Sequence, residues 1–69
     1  MTKVQTRFKL QRALSERELE SLAHVHAVYG ILAARLQLPE EEVFIEYDAS
    51  RLSLPEVRAM LEQHGLPVQ

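Results

Sequence analysis

Apolar and polar residues alternate strictly near the start of the chain. From Val4 to Gln11 every second residue is apolar or threonine, and the residues between them are Gln, Arg or Lys. A period of two with one polar face is typical of a strand that is buried on one side only. We therefore predict a first strand whose inward face holds Val4, Thr6, Phe8 and Leu10 and whose outward face holds Gln5, Arg7, Lys9 and Gln11.

Two capping boxes predict the starts of two helices. In Ser15–Glu18 and again in Ser53–Glu56, the serine hydroxyl can accept from the backbone N–H of the glutamate, whose carboxylate reaches back to the serine N–H. The first helix is predicted to run to Gly30 and the second to Gly65, because glycine readily adopts the left-handed conformation that ends a helix. Their apolar stripes are predicted to consist of Leu19, Leu22, Val25 or His26, and Tyr29 in the first helix, and of Val57, Met60, Leu61 and His64 in the second.

Three further stretches have the pattern of strands. Ile31–Leu38 and Val43–Tyr47 flank a charged turn at residues 39–42, which indicates a hairpin. Their inward residues are predicted to be Ala34, Leu36 and Leu38 in the first strand and Val43, Ile45 and Tyr47 in the second. Leu66–Val68 is predicted to add a short fourth strand, which Pro67 confines to an edge of the sheet.

The predicted order of elements is therefore βαββαβ. A single antiparallel four-stranded sheet with both helices on one face buries every apolar face, and this is the ferredoxin-like α+β sandwich. We predict a single domain over residues 1–69. A chain of this length buries only about 60% of its unfolded surface, so its stability depends on good packing or on association.

The composition of the chain excludes several classes of function. The chain has no cysteine, which excludes disulfides, thiolate metal sites and cysteine nucleophiles, and its net charge is −2. That charge would not attract nucleic acid or an anionic membrane. No stretch of about 20 predominantly apolar residues would span a membrane, and Met1–Gln5 lacks the apolar core of a signal peptide. We therefore expect a cytoplasmic protein that binds neither nucleic acid nor a membrane.

Two parts of the chain follow the pattern of a known family. They are Gly30–Leu38 together with Val43–Asp48, and Ser53–Val68. These segments resemble heavy-metal-associated domains, the small copper- and zinc-handling modules of metallochaperones and P-type metal ATPases. The last segment looks like the second helix and the terminal Gly-aromatic-Pro-Val strand of that family, with Leu66 in place of the aromatic residue. The resemblance implies the ferredoxin-like fold already predicted.

The diagnostic motif of the family, Met-x-Cys-x-x-Cys before the first helix, is absent. Neither of two alignments supplies a thiolate, and a hydroxyl with a carboxylate is a poor ligand pair for Cu(I). The two cysteine positions are taken by Ser15 and Glu18 in one alignment and by Leu14 and Arg17 in the other, with Ala13 or Arg12 at the Met position. The resemblance therefore implies a degenerate member that has lost its thiolate site.

The histidines are the remaining candidates for soft-metal ligands. His24 and His26 lie two residues apart on the predicted helix and point about 200° away from each other, so they cannot chelate one ion. We interpret His26 as a core histidine and His64 as a residue that caps the second helix. A site formed by His24 and His64 stays open as an alternative, although two ligands fall short of the four that zinc usually takes.

The outward face of the sheet is the candidate interaction surface. Phe44 would lie there among Arg7, Lys9 and Arg35, and aromatic and arginine side chains often carry much of the binding energy of an interface. The alternative is that the alkyl stems of the basic residues shield Phe44, while Glu46 is paired across strands.

We find no catalytic constellation and no sign of a cofactor, because no acid–base pair converges and Ser15 has no histidine relay. The sequence thus predicts a non-catalytic protein-interaction or regulatory domain, with a protein partner or a second copy of itself. The alternative is a zinc- or copper-binding or transport module that uses histidine or ligands from a partner. A small-molecule-binding regulatory domain is a third interpretation, which rests on analogy of fold alone.

Overall fold

The computed structural model describes residues 2–37 and 40–69. Its elements follow one another in the order β1 (Lys3–Lys9), α1 (Glu16–Val25), β2 (Ile31–Gln37), β3 (Glu42–Asp48) and α2 (Leu54–Gln63). The strands form an antiparallel sheet in the order β1-β3-β2. The predicted α+β arrangement is thus confirmed for two helices and three strands. Leu38 and Pro39, predicted to end the second strand and to begin the turn, lie outside the described residues.

The core lies between one face of the sheet and the two helices. Its largest fully buried side chains come from α1, β3 and α2, and they are Val25, Val43, Ile45, Val57 and Leu61. Phe8 of β1 and Leu36 of β2 both lie opposite Val43, so all three strands turn the same face toward the helices. The predicted inward faces are therefore correct for the described residues.

The predicted fourth strand is wrong in its extent. Val68 forms a single antiparallel bridge with Leu10, supported by the Gln69 N–H, which donates to the Lys9 carbonyl at 2.8 Å. Pro67 carries no N–H and cannot donate to a ladder, which limits the pairing of so short a segment. Leu66 and Val68 are nevertheless buried in the core.

Helix α1 is shorter than predicted and leaves His26 outside the core. The helix ends at Val25, and the Ala27 and Val28 N–H groups then donate three residues back in a turn. Val25, not His26, continues the buried stripe from Leu22, because the helix ends at Val25 and His26 begins the turn. His26 is an exposed helix cap, so the prediction of a core histidine is wrong. Leu19 and Tyr29, which were also predicted to lie on the apolar stripe, are 42% and 73% exposed.

An extra residue interrupts β2 near its start. Ile31 lies opposite Tyr47 and Ala33 lies opposite Glu46, which leaves Leu32 without a partner in the register. Such a bulge shifts the alternation of faces by one residue. Ile31 therefore enters the core although it is an even number of residues from Arg35, whose side chain points outward.

Helices α1 and α2 are both short. Within residues 2–37 and 40–69, no helix is long and apolar enough to cross a membrane.

Candidate functional site

The loop between β1 and α1 is where the resemblance places the lost metal site. Ser15 adopts an extended backbone conformation and caps α1. The Ser15 N–H donates to Glu18 Oε1 at 2.8 Å, and the Glu18 N–H donates to Ser15 Oγ at 3.3 Å. The predicted capping box is therefore confirmed, and it uses both residues that one alignment places at the cysteine positions.

Arg12 closes this loop from the other side. Its Nη1 and Nη2 atoms donate to Glu18 Oε1 and Oε2 at 2.7 and 2.6 Å, and Nη1 also donates to the Ala13 carbonyl at 3.2 Å. A two-point arginine–carboxylate contact is stronger and geometrically more specific than a single hydrogen bond. Arg12 first, and then the Ser15 N–H, lowers the pKa of Glu18 to about 2. The same pairing raises the pKa of Arg12.

These contacts leave no pair of side-chain oxygen atoms in the loop free to bind a cation. Both Glu18 oxygens already accept from cationic or backbone donors, and Ser15 Oγ accepts from the helix N–H. The other alignment offers Leu14, which packs against the core, and Arg17, which is exposed and cationic. Across residues 2–37 and 40–69, no group of three or more His, Cys, Asp or Glu side chains is placed to hold a metal ion.

The structure does not bring the candidate histidines together. His24 lies in the last turn of α1, near the start of β2. His64 lies at the opposite end of the fold, because it precedes the segment that pairs with Leu10 just beyond β1. A ten-residue helix such as α1 is about 15 Å long. The ring of His64 donates from Nδ1 to the Met60 carbonyl at 2.9 Å, which is the contact that a capping role requires.

The outward face of the sheet covers its aromatic residue. Phe44 is only 7% exposed, and the guanidinium carbon of Arg35 lies 4.8 Å from the centre of its ring. Arg7 lies opposite Phe44 on the other flanking strand. Glu46 accepts from Gln5 Nε2 at 3.0 Å across the strands. Phe44 is therefore a shielded ring, as in the second of the two interpretations of this face, and not an exposed anchor.

Asp48 is a buried carboxylate that the sequence interpretation did not identify. One of its oxygens accepts from the Ser50 N–H, the Ser50 hydroxyl and the Thr2 N–H at 3.0, 2.6 and 3.3 Å, and the other lies 3.4 Å from Arg51 Nε. The Ser50 hydroxyl and N–H are the main causes of a lowered Asp48 pKa. The signal that was available is the Asp-x-Ser sequence after a strand, which is typical of a turn closed by the aspartate side chain.

Asp48 also lines a surface hollow. This hollow lies between residues 26–32 and Arg51, with a volume of about 420 Å³. Arg51 covers the ring of Tyr29, with its guanidinium carbon 4.6 Å from the ring centre. Because Lys3 and Asp48 are paired at the start of β1, the hollow lies at the opposite end of the sheet from Ser15 and Glu18.

Three solved structures share this fold with a TM-score of 0.75 each. The CopZ metallochaperone is 16% identical, and the match covers 96% of this chain and 100% of the CopZ chain. A protein from Bacillus anthracis strain Ames that is assigned to copper-ion binding is 22% identical, with 99% and 97% covered. A copper-bearing variant of CopA from Bacillus subtilis is 15% identical, with 97% and 90% covered.

The sequence matches no protein-family model and no curated protein. At these levels of identity the structural likeness concerns the fold. The chain has no cysteine, so it cannot carry a cysteine pair at the loop before α1. The chain therefore has the fold of the heavy-metal-associated domains that its sequence resembles, in a form that lacks their Met-x-Cys-x-x-Cys motif.

Proposed function

We propose that this chain is a non-catalytic, heavy-metal-associated-like domain that has lost its thiolate site and acts as a protein-interaction or regulatory module in the cytoplasm. The observation that carries the proposal is the closed network of Arg12, Glu18 and Ser15. It occupies the loop from which a metal would be bound and converts that loop into a helix cap.

The chemistry of the network argues against residual metal binding there. A cation that took the Glu18 carboxylate would have to displace both Arg12 donors and the Ser15 N–H, and would then lie beside a guanidinium group. The donors that remain are hard oxygens, whereas soft Cu(I) prefers thiolates and thioethers. Loss of the metal ligands leaves the exposed surfaces of the domain in place, and these support a role in binding other proteins.

Metal titration tests this proposal. We expect micromolar Cu(I) or Zn²⁺ to leave the melting temperature of the chain unchanged, because only a ligand that binds the native state stabilises it. Two double variants serve as positive controls, Ser15→Cys with Glu18→Cys and Leu14→Cys with Arg17→Cys. The pair that lies at the family's cysteine positions should gain a Cu(I)-dependent rise in melting temperature.

The histidine alternative is tested in the same titration. A carrier that uses His24 or His64 would show one bound metal ion per chain after gel filtration, and His24→Ala or His64→Ala would remove it. Stoichiometric metal binding by the unmodified chain would overturn the proposal. Binding only in a cysteine variant would support it.

A further inference from the structure

One edge of the sheet is open along most of β1. In an antiparallel ladder the backbone N–H and C=O groups of one residue point to the same side, and the side alternates along the strand. The Lys9 carbonyl and the Gln11 N–H both point away from β3, toward Gln69 and Pro67. By this alternation, the backbone N–H and C=O groups that point away from β3 nearer the start of β1 belong to Lys3, Gln5 and Arg7.

These outward groups have no backbone partner among residues 2–37 and 40–69. The segment after α2 reaches the edge only at a single bridge, from Val68 to Leu10, and β1 is otherwise paired with β3 alone. An unpaired strand edge is a template for a further strand. The contact between Gln69 and Lys9 shows that this edge accepts an antiparallel neighbour.

The open edge is also basic. Lys3, Arg7 and Lys9 are all exposed on the outward face, and the ion pairs of the described residues, Arg12–Glu18 and Arg51–Asp48, involve none of them. A shallow hollow lined by Gln5, Thr6, Arg7 and Phe44 adjoins the same strand. Because a strand presents alternate side chains to one face, a partner strand here would meet three positive charges on that face.

The same charges disfavour a second copy as the occupant. Antiparallel pairing of two β1 edges would place Lys3, Arg7 and Lys9 against the same residues, and like charges directly opposite each other are destabilising. Basic side chains on an edge strand are a known means of preventing self-association. The opposite edge, β2, carries Arg35 and is interrupted by the bulge at Leu32, so it offers neither acidic charge nor a regular ladder.

We infer that the β1 edge binds an extended acidic peptide segment of a partner protein, which adds as an antiparallel strand alongside Lys3–Arg7. Acidic side chains at every second position would face Lys3, Arg7 and Lys9. The intervening positions would lie beside the half-buried Val4 and Thr6 and would be apolar. This inference rests on the proposed function, whose interaction role it makes specific.

The experiment uses metal-free protein and labelled peptides of about eight residues, the length of a typical strand. One peptide alternates Glu and Val, and a second replaces every Glu with Lys. The third is the Glu-Val peptide with N-methyl groups on the backbone nitrogens of the edge that would pair with β1. We expect fluorescence anisotropy to show binding of the first peptide, weakened by added salt. The Lys peptide should bind at least about tenfold more weakly, and N-methylation of the docking edge should abolish binding.

Two protein variants test the site. Arg7→Glu should weaken binding of the Glu-Val peptide about three- to tenfold, whereas Arg58→Glu on the exposed surface of α2 is the matched charge control and should change it less than about twofold. Gln5→Pro removes an outward N–H without breaking the ladder to β3, and it should also weaken binding. Circular dichroism establishes that each variant remains folded.

The outcomes separate this inference from the proposed function. Absence of binding, equal binding of the Glu and Lys peptides, equal binding after N-methylation, or the same loss with Arg58→Glu as with Arg7→Glu would overturn the strand-addition site. A concentration-dependent dimer in sedimentation that Arg7→Glu abolishes would overturn it in favour of self-association. None of these results bears on metal binding, which is measured separately in the titration described above.

Discussion

Arg12 and Glu18 are joined at two points, with both guanidinium nitrogens within 2.7 Å of the two carboxylate oxygens. The carboxylate also accepts the Ser15 N–H, so one side chain fixes the loop to the first turn of α1. Negative charge is favourable at this end of a helix because the macrodipole is positive there. The contact therefore stabilises the helix start in the loop where the sequence resemblance places the missing cysteine motif.

The lowered pKa of Glu18 predicts a dependence of stability on pH. The unfolded chain binds a proton at Glu18 near 4.5, but the folded chain does so only near pH 2. Protons therefore favour the unfolded state across this window, and the stability present above pH 4.5 is lost as the pH falls toward 2. In urea unfolding at successive pH values, Glu18→Gln should show a shallower loss than the unmodified chain.

Glu16→Gln is the matched control for this measurement, because Glu16 lies in the same helical turn and is exposed. Glu16 takes no part in the contacts that join Arg12, Ser15 and Glu18, so Glu16→Gln should leave intact the part of the slope that depends on them. Identical slopes for Glu18→Gln and the unmodified chain would contradict the assigned role of the Arg12 contact.

The two glycines predict different costs for the same substitution. Gly30 and Gly65 both have positive φ angles, of 95° and 81°, and a residue with a Cβ atom loses about 1 kcal/mol or more in this conformation. A Cβ atom at Gly30 would also lie 2.9 Å from Leu52 Cδ1, whereas the space at Gly65 is open. We expect Gly30→Ala to lower the free energy of unfolding by more than Gly65→Ala, as measured by urea denaturation. Equal losses would show that Leu52 moves aside without cost.

The two arginine–aromatic pairs should differ sharply in energy. Phe44 is 7% exposed and Tyr29 is 73% exposed, although an arginine covers each ring at a similar distance. Truncating a buried Phe typically costs about 3–5 kcal/mol, and we expect about 3 kcal/mol for Phe44→Ala because it lies outside the main core. Tyr29→Ala loses little beyond a surface cation–π contact of about 0.5–1 kcal/mol. Thermal unfolding of both variants checks this, and comparable losses would mean that Phe44 is not shielded in solution.

Asp48 is predicted to organise the end of the molecule that lies away from Ser15. Asp48→Asn removes the charge that faces Arg51 and replaces one carboxylate oxygen with an NH2 group. The remaining oxygen can hold the Thr2 and Ser50 donors only as a weaker, neutral acceptor, and the NH2 group then faces the Arg51 guanidinium, donor against donor. We expect a lower melting temperature and faster amide hydrogen exchange at Thr2 and Ser50. Ser50→Ala, which removes only the hydroxyl contact, should have a smaller effect. A larger effect of Ser50→Ala would contradict this order.

Features that depend on neighbouring residues were predictable from the sequence. The alternation of β1 and the two capping boxes need only contacts within a few positions, and both are present. The end of α1 was not predictable in this way, because Val25 and His26 both fit an apolar stripe at spacings of three or four. The turn that follows Val25 decided between them and left His26 exposed.

Features that depend on distant residues could not be read from the pattern. The shielding of Phe44 requires the register that places Arg35 on the adjacent strand. The Thr2 N–H reaches Asp48 across 46 positions of sequence. At the candidate site, the pairing of Ser15 with Glu18 followed from the capping box, whereas the position of Arg12 depends on the path of the loop outside any regular periodicity.

The bulge at Leu32 makes the chain unequally tolerant of changes in length. Deleting this residue would restore an unbroken ladder. Ile31 and Arg35 would then lie three residues apart and, because faces alternate at every residue, would keep their inward and outward faces without a bulge. Loss of one residue should therefore be tolerated at Leu32. The same loss inside β1, whose ladder with β3 has no interruption from Lys3 to Lys9, would turn the side chains on one side of the deletion to the opposite face.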